Sequence, residues 1–423
     1  MAFLAFGAGL TPDFRSPPEV SEIEDIVTEE AAVRTQTGQS LRVTPLVAEN
    51  DFVAKGAAVA CLRHAPDVCF VAPFAGRVGR VSLLPGRKLS EIVLFREESD
   101  AVEHHDTDRA ATPGGLQRLM QSAGFWPRLR RRPFGGMPDH AETPAAILVM
   151  AADTRPFAPD PRLALKGREE DLARGLAALA RLTAGPVFFC RTAGPPMLAG
   201  MSGDARIHEV ICGARHPQGS AGIRIHQLFP AGLDAPVWDV HAEDVAALGA
   251  LLARGTLPMT RLVHISGSAL RRSCWVRTHP GADLRQLTQR IVLPSPHLLM
   301  SGSPLDGHAA RWLAPRHRQV TVLPRAETSP RAAHWLVAAL TRSVVGRPAI
   351  PTAALTHAFG AVLPATPFVR ALSAGDDETA MKLGVLSLLE EDIALADYVL
   401  SEGGQLAAEL RGMLDRIQNE FAA

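Results

Sequence analysis

Three stretches of this chain carry side chains whose type and spacing could do chemistry. Between Gly213 and Leu228 the sequence reads GARHPQGSAGIRIHQL. Its two histidines, His216 and His226, could ligate a metal as neutral imidazoles. A backbone lined by Gly213, Gly219 and Gly222 could instead present free N–H groups to an anion. A third reading needs no ligand, because glycines at this density also make a rigid connection between two α/β units. No acid or cysteine completes a metal-ligand set in register, so no metal is expected there. Between Trp126 and Asp139 lies WPRLRRRPFGGMPD. Arg128, Arg130, Arg131 and Arg132 can grip carboxylate or phosphate oxygens bidentately and stack on Trp126 or Phe134. The same run also reads as a solvated basic turn paired with local acids. Ser301-Gly302-Ser303 offers hydroxyls and N–H groups to a ligand, and turn chemistry explains it equally well.

Other clusters point away from catalysis. Glu103, His104, His105, Asp106 and Asp108 fall in a polar linker, residues 101–113, where solvation accounts for them. Glu390, Glu391 and Asp392 open a helix, where its dipole favours carboxylates. The five cysteines, Cys61, Cys69, Cys190, Cys212 and Cys274, form no CxxC. They therefore suggest neither an iron–sulfur cluster nor a structural zinc site. Their odd number suits reduced thiols in a cytoplasm. The 423 residues hold 44 basic and 44 acidic side chains, so attraction to nucleic acid lacks an electrostatic driver. No apolar run reaches the roughly 18 residues that cross a bilayer. The opening MAFLAFGAGLTPDF lacks the basic start of a signal peptide.

Periodicity divides the chain that must position these groups. Residues 1–24 read as an extended arm. Residues 25–100 read as short strands with a turn at Pro73–Gly76, the rhythm of a biotinyl/lipoyl-like β-barrel. Its hairpin tip, Arg63–Asp67, holds no lysine for covalent attachment, so a swinging-arm carrier is not expected. Residues 114–256 alternate strands (Ala145–Met150, Val187–Cys190, Ile207–Ile211) with helices (about Glu169–Leu182 and Asp244–Ala253), which predicts a mostly parallel, Rossmann-like sheet. Ile223, Ile225 and Leu228 suggest a further buried strand. Asp153-Thr154-Arg155-Pro156 follows the first strand in place of a glycine-rich phosphate loop, so a bound nucleotide is not expected. Residues 257–325 read as strands around one short helix, a β-grasp. Residues 326–423 read as helical, with segments at Ala332–Thr341, Asp377–Leu386, Glu390–Leu400 and a last helix lined by Leu406, Leu410, Leu414 and Ile417.

Six motifs in fixed order then carry a family resemblance. They are APFAGRV at Ala72–Val78, LRRRPF at Leu129–Phe134, DTRPFAPDP at Asp153–Pro161, the glycine stretch, SGSPLDGH at Ser301–His308 and KLGVLSLLEEDIALADYV at Lys382–Val399. The series resembles the A subunit of the bacterial sodium-translocating NADH:quinone reductase over nearly the whole chain. The resemblance implies an α/β multidomain protein: a lipoyl-like barrel, a Rossmann-like domain similar to the flavin subunit of respiratory complex I, a soluble-ligand-binding β-grasp and a C-terminal helical domain. It implies an accessory subunit on the cytoplasmic face of the inner membrane, peripheral, with ubiquinone as possible ligand. NADH, flavin and iron–sulfur centres would belong to the membrane and flavin subunits that are its partners. The residues it marks for a quinone headgroup or a partner are Arg130, Arg132, Phe134, His216, Gly219, Gly222, His226, Ser301 and Gly302; none is marked as catalytic. A related electron-transport subunit carries two iron–sulfur clusters, which isolated cysteines do not suit. The chain departs from the family at Pro351–Pro364, where an arginine, a Pro-Ile-Gly and a tyrosine are replaced, and at Ser401–Gly404. The alternative is therefore a stand-alone scaffold of the same fold that no longer joins a sodium pump.

Overall fold

The computed structural model describes residues 7–36, 38–198, 204–325, 352–400 and 405–421. Its strands build four sheets. Two are small and antiparallel. One pairs Val43–Pro45, Ala58–Leu62 and Cys69–Val71; the other runs Glu30–Val33, Lys88–Arg96, Gly76–Leu84, Phe52–Val53. Val43, Val59, Val78, Ile92 and Leu94, contributed by both sheets, are fully buried in one core. Leu89, Ile92 and Leu94 of Lys88–Arg96 point into it, while Val93 packs on the other face with Ala32 and Trp312 and Phe95 is exposed.

The third sheet has the order Ile207–Cys212, Val187–Thr192, Ala146–Ala151, Val237–His241, Arg130–Arg132. The first four strands are parallel and the last is an antiparallel edge. Every residue of Ala146–Ala151 is buried, as a central strand covered on both faces requires. Ile147, Val149 and Ala151 meet Leu172 and Leu176 of helix Glu169–Ala180 and Val245 and Leu248 of helix Ala242–Arg254. Ala146, Leu148 and Met150 meet Ile225 on the other face.

Ile225 lies in a helix, Ala221–Leu228, where alternating isoleucines suggested a strand. The correction has a physical cause. Ser220 is extended at the helix start but its side chain caps nothing. The cap comes from Asp392, whose Oδ1 accepts from Gly222 N at 2.9 Å across 170 residues of sequence. No local pattern could announce it.

The fourth sheet runs Glu19–Asp25, Ser273–Thr278, Arg261–Ser266, Gln319–Pro324, His297–Ser301, His308–Ala309. The end of the N-terminal arm thus forms an edge strand, parallel to Ser273–Thr278. Helix Leu284–Thr288 packs beside it, capped by Asp283. The C-terminal helices Ala353–Ala358, Ala365–Ala374, Asp377–Lys382, Glu390–Leu400 and Gln405–Phe421 share a core to which Ile223 also belongs. The helix expected to reach Leu386 stops at Lys382, because Gly384 takes φ +97° and a short turn, Val385–Ser387, follows. The helix expected at Ala332–Thr341 and the tetrapeptide Ser401–Gly404 lie outside the described residues. Among the described residues no helix is long and apolar enough to cross a membrane.

Candidate functional site

The arginine stretch folds as the edge strand Arg130–Arg132, with Arg130 opposite Asp239 and Arg132 opposite Val237. Arg132 is fully buried. Its Nη1 donates to Asp239 Oδ1 at 2.5 Å, its Nη2 to Asp392 Oδ2 at 3.1 Å and its Nε to the Ser387 carbonyl at 3.2 Å. Glu391 Oε1 lies 3.4 Å from the same Nη2. Arg316 holds the other oxygen of Asp239 at 2.6 Å, and Arg130 pairs with Glu391. Burial pushes the Asp239 carboxyl up, but Arg132, Arg316 and Arg130 outweigh it and hold the group at about 2. Burial and the neighbouring Arg316 push Arg130 down to about 9. Charges this dry persist only when paired and hydrogen-bonded on nearly every side. This cluster ties the parallel sheet to the 316–318 strand entry and to helix Glu390–Leu400. A second cluster lies nearby. Arg318 reaches Glu243 Oε2 at 3.0 Å and Asp244 Oδ2 at 2.6 Å, and Arg128 reaches Asp244 Oδ1 at 3.3 Å.

The glycine stretch receives an anion, and the anion is the chain's own. Asp392 takes Gly222 N and Leu389 N, each at 2.9 Å, besides Arg132. A Cβ on Gly222 would fall on Asp392 Oδ2 and 2.7 Å from the Ser387 carbonyl. Gly219 N donates to Thr154 Oγ1 at 2.9 Å, and a Cβ there would lie 2.7 Å from Thr154 N. Close backbone approach is thus what both glycines permit. His216 Nδ1 sits 3.3 Å from the same hydroxyl, and its Nε2 has no hydrogen-bond partner. Burial pushes His216 down to about 4. His226 is half-buried with its ring against Gly384, and burial lowers it too. The two histidines therefore have different neighbours. Among the described residues no group of three or more His, Cys, Asp or Glu side chains could hold a metal ion.

The serine turn meets the same joint. Ser301 Oγ accepts from Ala314 N at 2.9 Å and lies 2.8 Å from His317 Nδ1. Gly302 takes φ +105°. Ser303 bonds Asp306, which pairs at 3.0 Å with Arg155, itself clamped on Asp153. Leu305 and Phe134 both pack on the helical core, and the Phe134 carbonyl accepts from Arg411 Nη1 at 2.8 Å. Five separated segments, 130–134, 153–155, 216–226, 301–306 and 384–392, are thus brought into contact. Sequence reasoning missed the acids and arginines that join them: Asp239, Arg155, Asp306 and Arg316, with Asp392 read only as a helix-dipole residue. Asp239 did leave a signal, a carboxylate within the apolar strand VWDVH.

An α/β multidomain protein whose motif residues close an internal ionic joint is the class that this geometry defines. Residues 112–257 match the family model described as the NqrA second alpha/beta domain. The chain is 31% identical over 415 residues to the A subunit of the Na(+)-translocating NADH-quinone reductase of Alcanivorax borkumensis, covering 90% of this chain and 91% of that one. It is 31% identical over 411 residues to its counterpart from Shewanella amazonensis, again covering 90% and 91%. The counterpart from Neisseria meningitidis serogroup C is 29% identical over 443 residues, 97% and 98% of the two chains. The chain belongs to the NqrA family, the A subunits of the Na(+)-translocating NADH-quinone reductases. Among solved structures, a chain of an NAD+-reducing [NiFe]-hydrogenase in the air-oxidized state aligns over 72% of this chain and 64% of that one, at 14% identity and a TM-score of 0.41.

Proposed function

We propose that the chain is the accessory subunit of a sodium-translocating NADH:quinone reductase, and that it supports complex assembly and contributes to a quinone site. In this reading it binds no flavin or iron–sulfur centre of its own. NADH, flavin and cluster chemistry belong to the membrane and flavin subunits, and the chain sits peripherally on the cytoplasmic face of the inner membrane. The observation that carries the reading is the convergence of the family motifs on one ionic joint. The joint fixes the C-terminal helices against the parallel sheet and leaves Arg130 and Glu391, each with about a fifth of its side chain exposed, at its solvent edge. The partly exposed Arg130 guanidinium offers N–H donors that suit a quinone's carbonyl acceptors, and the neighbouring Arg131 guanidinium lies over the Phe134 ring at 6.0 Å. His216, Gly219, Gly222, His226, Ser301 and Gly302 hold the segments around that edge. Arg132 stands behind it as the buried tie.

The reading also takes residues 25–100 as a lipoyl-like scaffold barrel and 114–256 as a Rossmann-like domain without nucleotide. It takes 257–325 as a ligand-binding β-grasp and 326–423 as the helical domain. Four parallel strands flanked by helices on both faces support the second assignment.

The test is co-expression with the five partner subunits, one of them tagged, together with titration of the purified chain by a short-chain ubiquinone followed through tryptophan fluorescence. Co-purification, and a quinone affinity that falls at least about fivefold in Arg130→Gln, are expected. A chain that never co-purifies would favour the stand-alone scaffold, which the altered Pro351–Pro364 segment otherwise recommends. Quinone titration without response in chain and complex alike would remove the quinone role. Stoichiometric flavin or iron in the isolated chain would overturn its accessory character.

A further inference from the structure

The hairpin between Gly76–Leu84 and Lys88–Arg96 ends in Leu83-Leu84-Pro85-Gly86-Arg87, all exposed. Leu83 and Leu84 leave 36% and 52% of their surface in water. A row of cations leads up to Leu84, while Leu83, opposite Leu89, flanks it from the other face of the tip. Leu84 pairs directly with Lys88 in the antiparallel register, and Lys88 bridges antiparallel to Arg42. Continuing the register of Val43 with Leu62 places Arg63 opposite Arg42, and Arg63 N donates to the Arg42 carbonyl at 3.0 Å. Residues directly opposite across antiparallel strands share a face. Arg63, Arg42, Lys88 and Leu84 therefore lie side by side on one face, with Arg87 next to them in the turn.

This row is unfavourable on its own terms, since like charges directly opposite one another repel. No carboxylate lies within ion-pair distance of Arg42, Arg63, Arg87 or Lys88 among the described residues. The nearby Glu91 is already held by Arg80 and by Trp312, and Glu49 accepts from Val81 N. A chain of zero net charge has nonetheless gathered four cations with no ion-pair partner among the described residues behind an apolar tip. Apolar side chains in front and cations behind match the layering of a bilayer surface, with acyl chains below anionic headgroups. An acidic protein would satisfy the cations but leave the protruding leucines without a reason.

We propose that this hairpin is a membrane-contact surface: Leu83 and Leu84 enter the headgroup–acyl boundary, and Arg42, Arg63, Arg87 and Lys88 contact lipid phosphates. The inference rests on the peripheral membrane placement proposed above and names the surface that makes the contact; none of its residues lies in the ionic joint, so the quinone and assembly tests can fail while this one holds.

The test is co-sedimentation of the full chain with vesicles of phosphatidylcholine containing about 30 mol % phosphatidylglycerol, against phosphatidylcholine alone. Binding to the anionic vesicles, weakened by salt, is expected. Leu84→Ser should weaken it about tenfold, the loss of one half-buried leucine. Arg42→Gln and Lys88→Gln should each weaken it about fivefold on anionic vesicles only. Leu84→Trp, which keeps the apolar anchor, should bind undiminished and shift its emission to the blue on binding. Melting temperatures of these surface variants check that the fold is intact. No binding to anionic vesicles, or equal binding by Leu84→Ser, would overturn the proposal. Cation variants that keep full vesicle binding but lose an acidic protein from the co-expressed complex would assign the row to a protein interface instead.

Discussion

Replacing Arg132 with methionine isolates the energetics of the joint. Methionine keeps most of the side chain's length and apolar stem but removes every donor. Asp239 retains Arg316 at 2.6 Å and Arg130 at 3.6 Å, so its charge stays compensated. Asp392 keeps only the N–H groups of Gly222 and Leu389, and the Ser387 carbonyl loses the donor held at 3.2 Å. Removing one partner of a buried pair costs about 3–5 kcal/mol. The surviving partners of Asp239 place this variant near the low end, about 3 kcal/mol. Most of that cost is the stranded Asp392 charge. Adding Asp392→Asn to Arg132→Met should then recover part of that cost, since the charge is gone although only one of the N–H groups of Gly222 and Leu389 still finds an acceptor, whereas Asp392→Asn alone should destabilise by about 1–3 kcal/mol. A chain of several units need not unfold in one step, so a urea midpoint is best joined to hydrogen exchange resolved by peptide. Peptides covering 220–228 and 385–400 should lose protection in Arg132→Met and regain part of it in the double variant, while 146–151 stays protected. A cost under about 1 kcal/mol, or an Asp392→Asn penalty that is the same with and without Arg132, would refute the reasoning.

Acid should destabilise the fold well before most carboxylates titrate. Burial pushes His216, His279 and His317 each down to about 4, while the unfolded chain protonates them near 6.5. Between these values the unfolded state takes up protons that the native state refuses, so stability present above pH 6.5 is lost as pH falls toward 4. The loss is at most about 3 kcal/mol for each histidine. Melting temperatures that stay flat from pH 7 to pH 4 would contradict this. Gly222→Ala should destabilise by about 1–3 kcal/mol, because its methyl group meets the Asp392 carboxylate and the Ser387 carbonyl. Gly114→Ala, in helix Pro113–Ser122 with open space around it, should be neutral or stabilising by up to about 1 kcal/mol. Equal midpoint shifts for the two glycines would show that packing at Gly222 is not what matters.

Much of the parallel sheet could be read from the chain because its signals are local. The fully apolar run AAILVM and the leucine stripe of helix Glu169–Ala180 announce themselves within a dozen residues. Helix Ala221–Leu228 could not, because its cap arrives from Asp392. The same carboxylate explains why the candidate site was harder to read than the fold. Glycines that open the backbone, arginines that present forks and acids at a helix start are the residue types of an anion site. They are equally the residue types of a tight joint in which one segment of the chain serves as ligand for another. Spacing along the sequence does not separate the two cases, since Arg132 and Asp392 lie 260 residues apart. What separates them is whether the chain holds a complementary charge with no other reason to be buried. Asp239, in the middle of an otherwise apolar strand, is such a charge. A carboxylate there costs several kcal/mol unless a cation meets it, so its presence implied that the neighbouring edge strand must bring one. The arginine stretch is that strand. Its outermost pair, Arg130 with Glu391, is the part of the joint that keeps about a fifth of each side chain exposed.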